Sequence, residues 1–208
     1  MFGHTIALMN SNIISFLSSR RSIRRYLPDP VPQEMVQELL TAVSWAPSAH
    51  NRQPWRFAVI QTDAVKDQLA TAMGQKLRHD LEKDHMPEAF IQKETSRSYE
   101  RITKAPLIFI ACTSMTDMDT YPDPMRQQNE WIMATQSTAL AIQNLLLAAH
   151  AFGLGACWMC APLFCQQTVQ NTLQLPRDWE PQSLITIGYP AETRTKERFP
   201  VDTRTIFF

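Results

Sequence analysis

Glycine is scarce in this chain: five residues in 208, namely Gly3, Gly74, Gly153, Gly155 and Gly188. That is roughly a third of the usual ~7%. The five cannot spell G-x-G-x-x-G or G-x-x-x-x-G-K-[ST], which disfavours a glycine-rich dinucleotide turn and P-loop chemistry. A phosphate bound here must be held largely by side chains. Net charge is also missing, since 20 Lys+Arg offset 20 Asp+Glu. No global field gathers nucleic acid or anionic lipid, and neither is an expected partner. The opening MFGHTIALMNSN has no basic n-region and no adequate apolar run, so no secretory signal is expected. No stretch reaches the ~18 apolar residues of a membrane span. The richest, residues 138–154, is interrupted by Gln143, Asn144 and His150. Cysteine is sparse too: Cys112, Cys157, Cys160 and Cys165. The spacing of Cys157 and Cys160 is ligand-like, but a second C-x-x-C and any H-x-x-x-H are missing. The expectation is no metal, and ordinary core thiols in a reducing, cytoplasmic compartment.

Apolar residues make up 44% of the chain and charged residues 19%, enough for a sizeable core. No repeat or low-complexity linker divides the sequence, so residues 1–208 are expected to form a single domain. Residues 13–19 read as a first helix. Met35, Val36, Leu39, Leu40 and Val43 recur at helical spacing in a second, which stops before Pro47. Residues 56–61, 107–112, 156–161 and 183–189 read as strands, and residues 203–208 as a further one. Residues 64–73 form an amphipathic helix. The charged stretch 75–103 reads as one or two exposed helices broken near Pro87, either a solvated face or a helical lid. Residues 128–152 form a long helix, apolar on nearly every face in its second half and requiring cover all round. Gly153 and Gly155 suit its C-terminal cap and a tight entry into the next strand. Four or five strands among five or more helices indicate an α+β fold.

Three clusters can carry chemistry. Arg20-Arg21-Ser22-Ile23-Arg24 is either a solvated basic turn or an anion site, because guanidinium forks and a hydroxyl suit phosphate oxygens. Pro47-Ser48-Ala49-His50-Asn51-Arg52-Gln53-Pro54-Trp55 is a polar stretch between prolines. Its stiff backbone and neutral donors suit either a structural turn or the polar edge of a heteroaromatic ring. Lys196-Glu197-Arg198-Phe199-Pro200 puts two cations at i and i+2 of an extended segment, where they point the same way.

The order and spacing of these clusters resemble the nitroreductase superfamily of flavin enzymes, over nearly the whole chain. The first matches that family's R-x-S phosphate motif, the second its most specific local signature, and Lys196-x-Arg198-x-Pro200 its C-terminal phosphate clamp. Tyr121-Pro122-Asp123, Gly153-Leu154-Gly155-Ala156-Cys157-Trp158 and Asp178-Trp179-Glu180-Pro181 look most like one subgroup. That subgroup is the FMN-binding C-terminal domain of deazaflavin-cofactor glutamate ligases and its free-standing relatives. The resemblance implies a domain-swapped homodimer around a mostly antiparallel sheet, with residues 201–208 as an exchanged arm. It implies FMN held by Arg20, Arg21, Ser22, Arg24, Lys196 and Arg198, with Pro47, Ser48, Ala49 and Asn51 approaching the ring from the second subunit. It also implies a ping-pong hydride mechanism in which NAD(P)H is the electron donor and a small-molecule acceptor, nitroaromatic-like or otherwise conjugated, is reduced, the chemistry being carried by FMN and not by a side-chain nucleophile. Two alternatives stay open: a dedicated FMN-dependent reductase of a biosynthetic intermediate such as a dehydro-deazaflavin cofactor precursor, and a non-catalytic flavin-binding protein. Residues 160–163 are candidates for a backbone donor to the flavin, although Pro162 has no N–H to give.

Overall fold

The computed structural model describes residues 12–208. A first helix, α1, covers residues 12–19. It is followed by α2 (Gln33–Ser44), β1 (Trp55–Ile60), α3 (Asp63–Lys83), α4 (Glu88–Thr103) and β2 (Leu107–Thr113). Then come α5 (Pro124–Ala151), β3 (Gly155–Met159), α6 (Gln166–Leu173) and β4 (Glu180–Gly188). Short 3-10 turns lie at Ala49–Asn51, Ala161–Phe164 and Val201–Arg204. The four strands make one antiparallel sheet in the order β1-β2-β4-β3, with Phe109 opposite Ile185 and Gly155 opposite Gly188. The α+β expectation holds.

Alternation along β2 explains the layers. Leu107, Phe109 and Ala111 face α2 and α5, meeting Leu39, Val43, Ile142 and Leu145. Ile108, Ile110 and Cys112 face the other way, into Leu69, Met73, Ile102 and Val169 from α3, α4 and α6. Helices cover both faces, so β2 is buried along its length and reads as a continuous apolar run, a pattern more usual for parallel strands. Burial pushes the Cys112 thiol up to about 12, as expected of an inert core thiol.

Local chemistry sets the helix ends. Asp123 caps α5 by accepting the Arg126 N–H at 2.9 Å, and Pro124 sits in the first turn. The helix therefore starts four residues before the expected 128. It ends at Gly153, whose φ of 73° and N–H bond to His150 O (3.1 Å) close the terminus, together with the Leu154 N–H on Ala149 O at 2.8 Å. By length and composition α5 would pass for a membrane span, which its interrupted apolar runs did not suggest. Its buried stripe instead packs on the sheet as a core helix.

Two expectations need correction. The helix expected over 64–73 runs on to Lys83, because Gly74 alone does not break it; the break falls between Lys83 and Glu88, beside Pro87. Residues 203–208 do not form a strand within this chain: Val201–Arg204 is a 3-10 turn and the end is exposed. The outer edge of β3, where a fifth strand would pair, is met by the N-terminal segment. There Ser22 bridges Ala156 in parallel and the Ile23 N–H bonds Ala156 O at 3.0 Å. Helix α6 was not anticipated, since eight mostly polar residues carry little periodic signal.

Candidate cofactor site

The segment leaving α1 is extended, and Ile23 anchors it. Ile23 is buried over Gly155, where an added Cβ would come within 2.7 Å of the Ile23 side chain. With Ile23 turned inward, the alternation of extended backbone places Ser22 and Arg24 on the opposite side. Tyr26 continues that side, its hydroxyl 2.8 Å from Thr186 Oγ1 on β4. The segment is then stitched to the chain leaving β4. The Leu27 N–H donates to Tyr189 O (2.9 Å), the Ala191 N–H to Arg25 O (3.0 Å), and the Arg24 N–H to Glu192 Oε1 (2.8 Å). The stretch carrying Arg20, Ser22 and Arg24 is thereby laid alongside the stretch leading to Lys196 and Arg198.

Cavities open around this junction. One of about 540 Å³ is lined by Arg24, Arg25, Tyr26, Arg97, Glu100, Arg101, Lys104, Ala191 and Arg194. It shares Arg97 and Arg101 with a more apolar cavity of about 200 Å³, lined also by Met73, Leu77, Met159 and Ala161. A third, of about 320 Å³, includes Ser19, Arg20, Arg21, His150, Glu192 and Arg194. The first two together offer an apolar slot opening onto a basic chamber.

Like charges crowd this junction. Arg20 is half-buried, and desolvation, then the like charges of Arg198 and Arg21, hold its pKa below the ordinary value. Arg101 is shifted the same way by burial, Arg97 and Arg24. Burial raises the Cys157 thiol, although Arg24, Arg101, Arg20 and Arg194 all oppose the shift.

Several expected residues converge here: Arg20, Arg21 and Arg24 line the cavities, Ser22 lies between them on the bridge to β3, and Arg198 falls within electrostatic reach of Arg20. The Arg21 side chain turns back to donate to the carbonyls of Ser18 and Arg20, so it closes the end of α1. Lys196 is exposed. Of residues 160–163, the Leu163 N–H already bonds Cys160 O at 3.0 Å, which leaves Cys160 and Ala161 as the segment's other N–H groups.

Pro47, Ser48, Ala49 and Asn51 stand apart; none of them lines these cavities. Their loop is nonetheless held firmly. His50, Asn51 and Gln53 all have left-handed φ, of 49°, 55° and 51°, a conformation that costs about 1–2 kcal/mol per non-glycine residue. The surrounding bonds fix it: the Gln53 N–H donates to Ser48 Oγ (3.1 Å), the Asn51 N–H to Ser48 O (3.1 Å) and the Ala49 N–H to Ser137 Oγ on α5 (3.2 Å). Ion pairs of Arg52 with Asp119 and of Arg56 with Asp117 clip it to the next loop.

Sequence reasoning missed Arg97, Arg101 and Arg194. Arg97 and Arg101 are four apart on α4 and so share one face, the only signal available.

The fold is a four-stranded antiparallel sheet covered by helices, with basic cavities where the N-terminal segment meets the chain leaving β4. The chain belongs to the nitroreductase family, whose family model matches residues 17–189. An NADH dehydrogenase of Thermus thermophilus is 33% identical, covering 83% of this chain and 84% of its own length. A 5,6-dimethylbenzimidazole synthase of Rhodospirillum rubrum is 30% identical, covering 83% and 79%. Among solved structures, a provisionally named nitroreductase of Desulfovibrio desulfuricans in complex with FMN superposes with a TM-score of 0.72. It has 26% identity and covers 94% of this chain and 96% of its own.

Proposed function

We propose that this protein is a homodimeric, FMN-dependent oxidoreductase that uses NAD(P)H to reduce nitroaromatic-like or other conjugated acceptors. One observation supports the reading above the rest: the segment bearing Arg20, Ser22 and Arg24 is hydrogen-bonded to the chain leaving β4, through Leu27 on Tyr189, Ala191 on Arg25 and Arg24 on Glu192, beside a chamber lined by basic side chains. The donor set fits FMN, because guanidinium forks and the Ser22 hydroxyl suit a terminal phosphate and the apolar slot suits a planar ring. FMN held there would supply the hydride chemistry that links NAD(P)H to the acceptor in ping-pong order. Arg20, Ser22, Arg24, Lys196 and Arg198 hold the phosphate end. Arg97 and Arg101 add positive charge along the chamber, and Met73, Leu77 and Met159 keep water from the ring.

The loop of Pro47, Ser48, Ala49 and Asn51 serves the site of a second subunit, which accounts for its fixed backbone and its distance from the chain's own cavities. Exposed Trp45, Met125, Ile132 and Leu140 supply apolar surface for that partner. Residues 201–208, with Ile206, Phe207 and Phe208 exposed, act as an arm exchanged onto it. Residues 75–103 act as a lid, since α4 walls the chamber. The four free thiols fit a reducing, cytoplasmic setting.

Purified protein should carry FMN, identified by mass spectrometry of the released flavin, and anaerobic NADH or NADPH should bleach its yellow colour. Stoichiometric FAD, or a colour unmoved by both donors, would overturn the reading. A second reading is a dedicated reductase of a biosynthetic intermediate, of the kind a deazaflavin cofactor precursor represents. One relative is named for a biosynthetic step, 5,6-dimethylbenzimidazole synthesis. A metabolite screen against the reduced protein separates the two.

A further inference from the structure

Glu192 is an acid placed among the cations of the phosphate clamp, where simple repulsion would weaken the binding of an anion. Its geometry explains its presence. Oε1 accepts the Arg24 N–H at 2.8 Å and Oε2 accepts Arg194 Nη2 at 2.8 Å, so both oxygens are engaged. The side chain is only 13% exposed. It is the last link in the stitch that begins with Leu27 on Tyr189 and continues with Ala191 on Arg25. Beyond it, no described backbone hydrogen bond ties residues 193–198 to the N-terminal segment.

We infer that Glu192 is a positioning residue of the clamp: it fixes the Arg24 backbone with one oxygen and Arg194 with the other, setting where the stretch bearing Lys196 and Arg198 departs. The pair with Arg194 also neutralises the carboxylate, so Arg20, Arg24, Lys196 and Arg198 still face the ligand as a net positive group. Arg194 and the Arg24 amide hold Glu192 below the usual carboxylate range, so it stays ionised through neutral pH.

This role presupposes that FMN binds through its phosphate, so the test compares FMN with riboflavin, which has the same ring and no phosphate. Glu192→Ala should weaken FMN binding about tenfold, the scale of one lost hydrogen bond to a charged group, and leave riboflavin affinity unchanged. Glu192→Gln keeps an acceptor for the Arg24 amide but turns an NH2 donor toward Arg194, losing both that ion pair and its hydrogen bond, so it should fall between the alanine variant and the wild type. Equal weakening of both flavins would reveal a general structural defect and overturn the assignment. Unchanged or tighter FMN binding in the folded alanine variant would overturn it too. A wild-type protein with equal affinity for the two flavins would overturn the phosphate reading itself, and the positioning role with it.

Discussion

Individual side chains differ in how openly the sequence shows their task. Arg20, Ser22 and Arg24 stand out as an anion-site candidate because they crowd into one short segment. Arg97 and Arg101 are not, because two arginines four apart on a charged helix look the same whether they face water or a chamber. Glu192 is harder still: its meaning lies in the Arg24 amide, 168 residues away. At this scale the sharpest expectation concerns Arg198, which shares electrostatic space with Arg20. Arg198→Ala removes a charge-assisted contact to the phosphate and should weaken FMN binding by about 1.5–3 kcal/mol. Fluorescence titration of the apoprotein measures it, and unchanged affinity in a folded variant would remove Arg198 from the clamp.

Secondary-structure elements were readable where burial imposes a period. Helix α2 appears nearly where hydrophobic spacing puts it, because it buries one face, and β1 and β2 appear where short apolar runs put them. The end of α3 and the whole of α6 escaped, because polar turns are held there by packing that leaves no pattern in the sequence. The most informative element contact is the seat of Ile23 on Gly155. Gly155→Ala would drive a methyl group into Ile23 and push the N-terminal segment off β3. Overpacking of this kind typically costs about 1–3 kcal/mol. Thermal unfolding should register that loss, and FMN affinity should fall with it, because Ser22 and Arg24 ride on the displaced segment. A variant with lowered stability and intact FMN binding would show that the clamp does not depend on this seat.

At the scale of the whole molecule, the fold could be inferred while the assembly could only be anticipated. Helix α5 buries Ala141, Ile142 and Leu145 against the sheet and leaves Leu140 at 45% and Ile132 at 39% exposure. A charge introduced on that outer stripe should prevent a partner from seating. Leu140→Glu is therefore expected to sediment as a monomer at micromolar concentration and to lose FMN, because the Ser48 and Asn51 loop of the second subunit is withdrawn. Monomeric wild-type protein that keeps FMN and full NAD(P)H oxidation would overturn both the interface and the shared site.

The strand order carries a consequence for how this protein is made. β4 is the last strand in the sequence, yet it lies inside the sheet, between β2 and β3. Until Glu180–Gly188 has been synthesised, β2 has a partner on one side only and β3 has no neighbouring strand. A nascent or prematurely terminated chain would present the apolar edge of β2, Leu107–Thr113, to whatever is nearby. The sheet, and the bond from Arg24 to Glu192, close only when late residues meet early ones, so the proposed cofactor capture belongs after translation. Fragments stopping short of β4 should be recovered as aggregates or chaperone clients, never as a smaller flavoprotein.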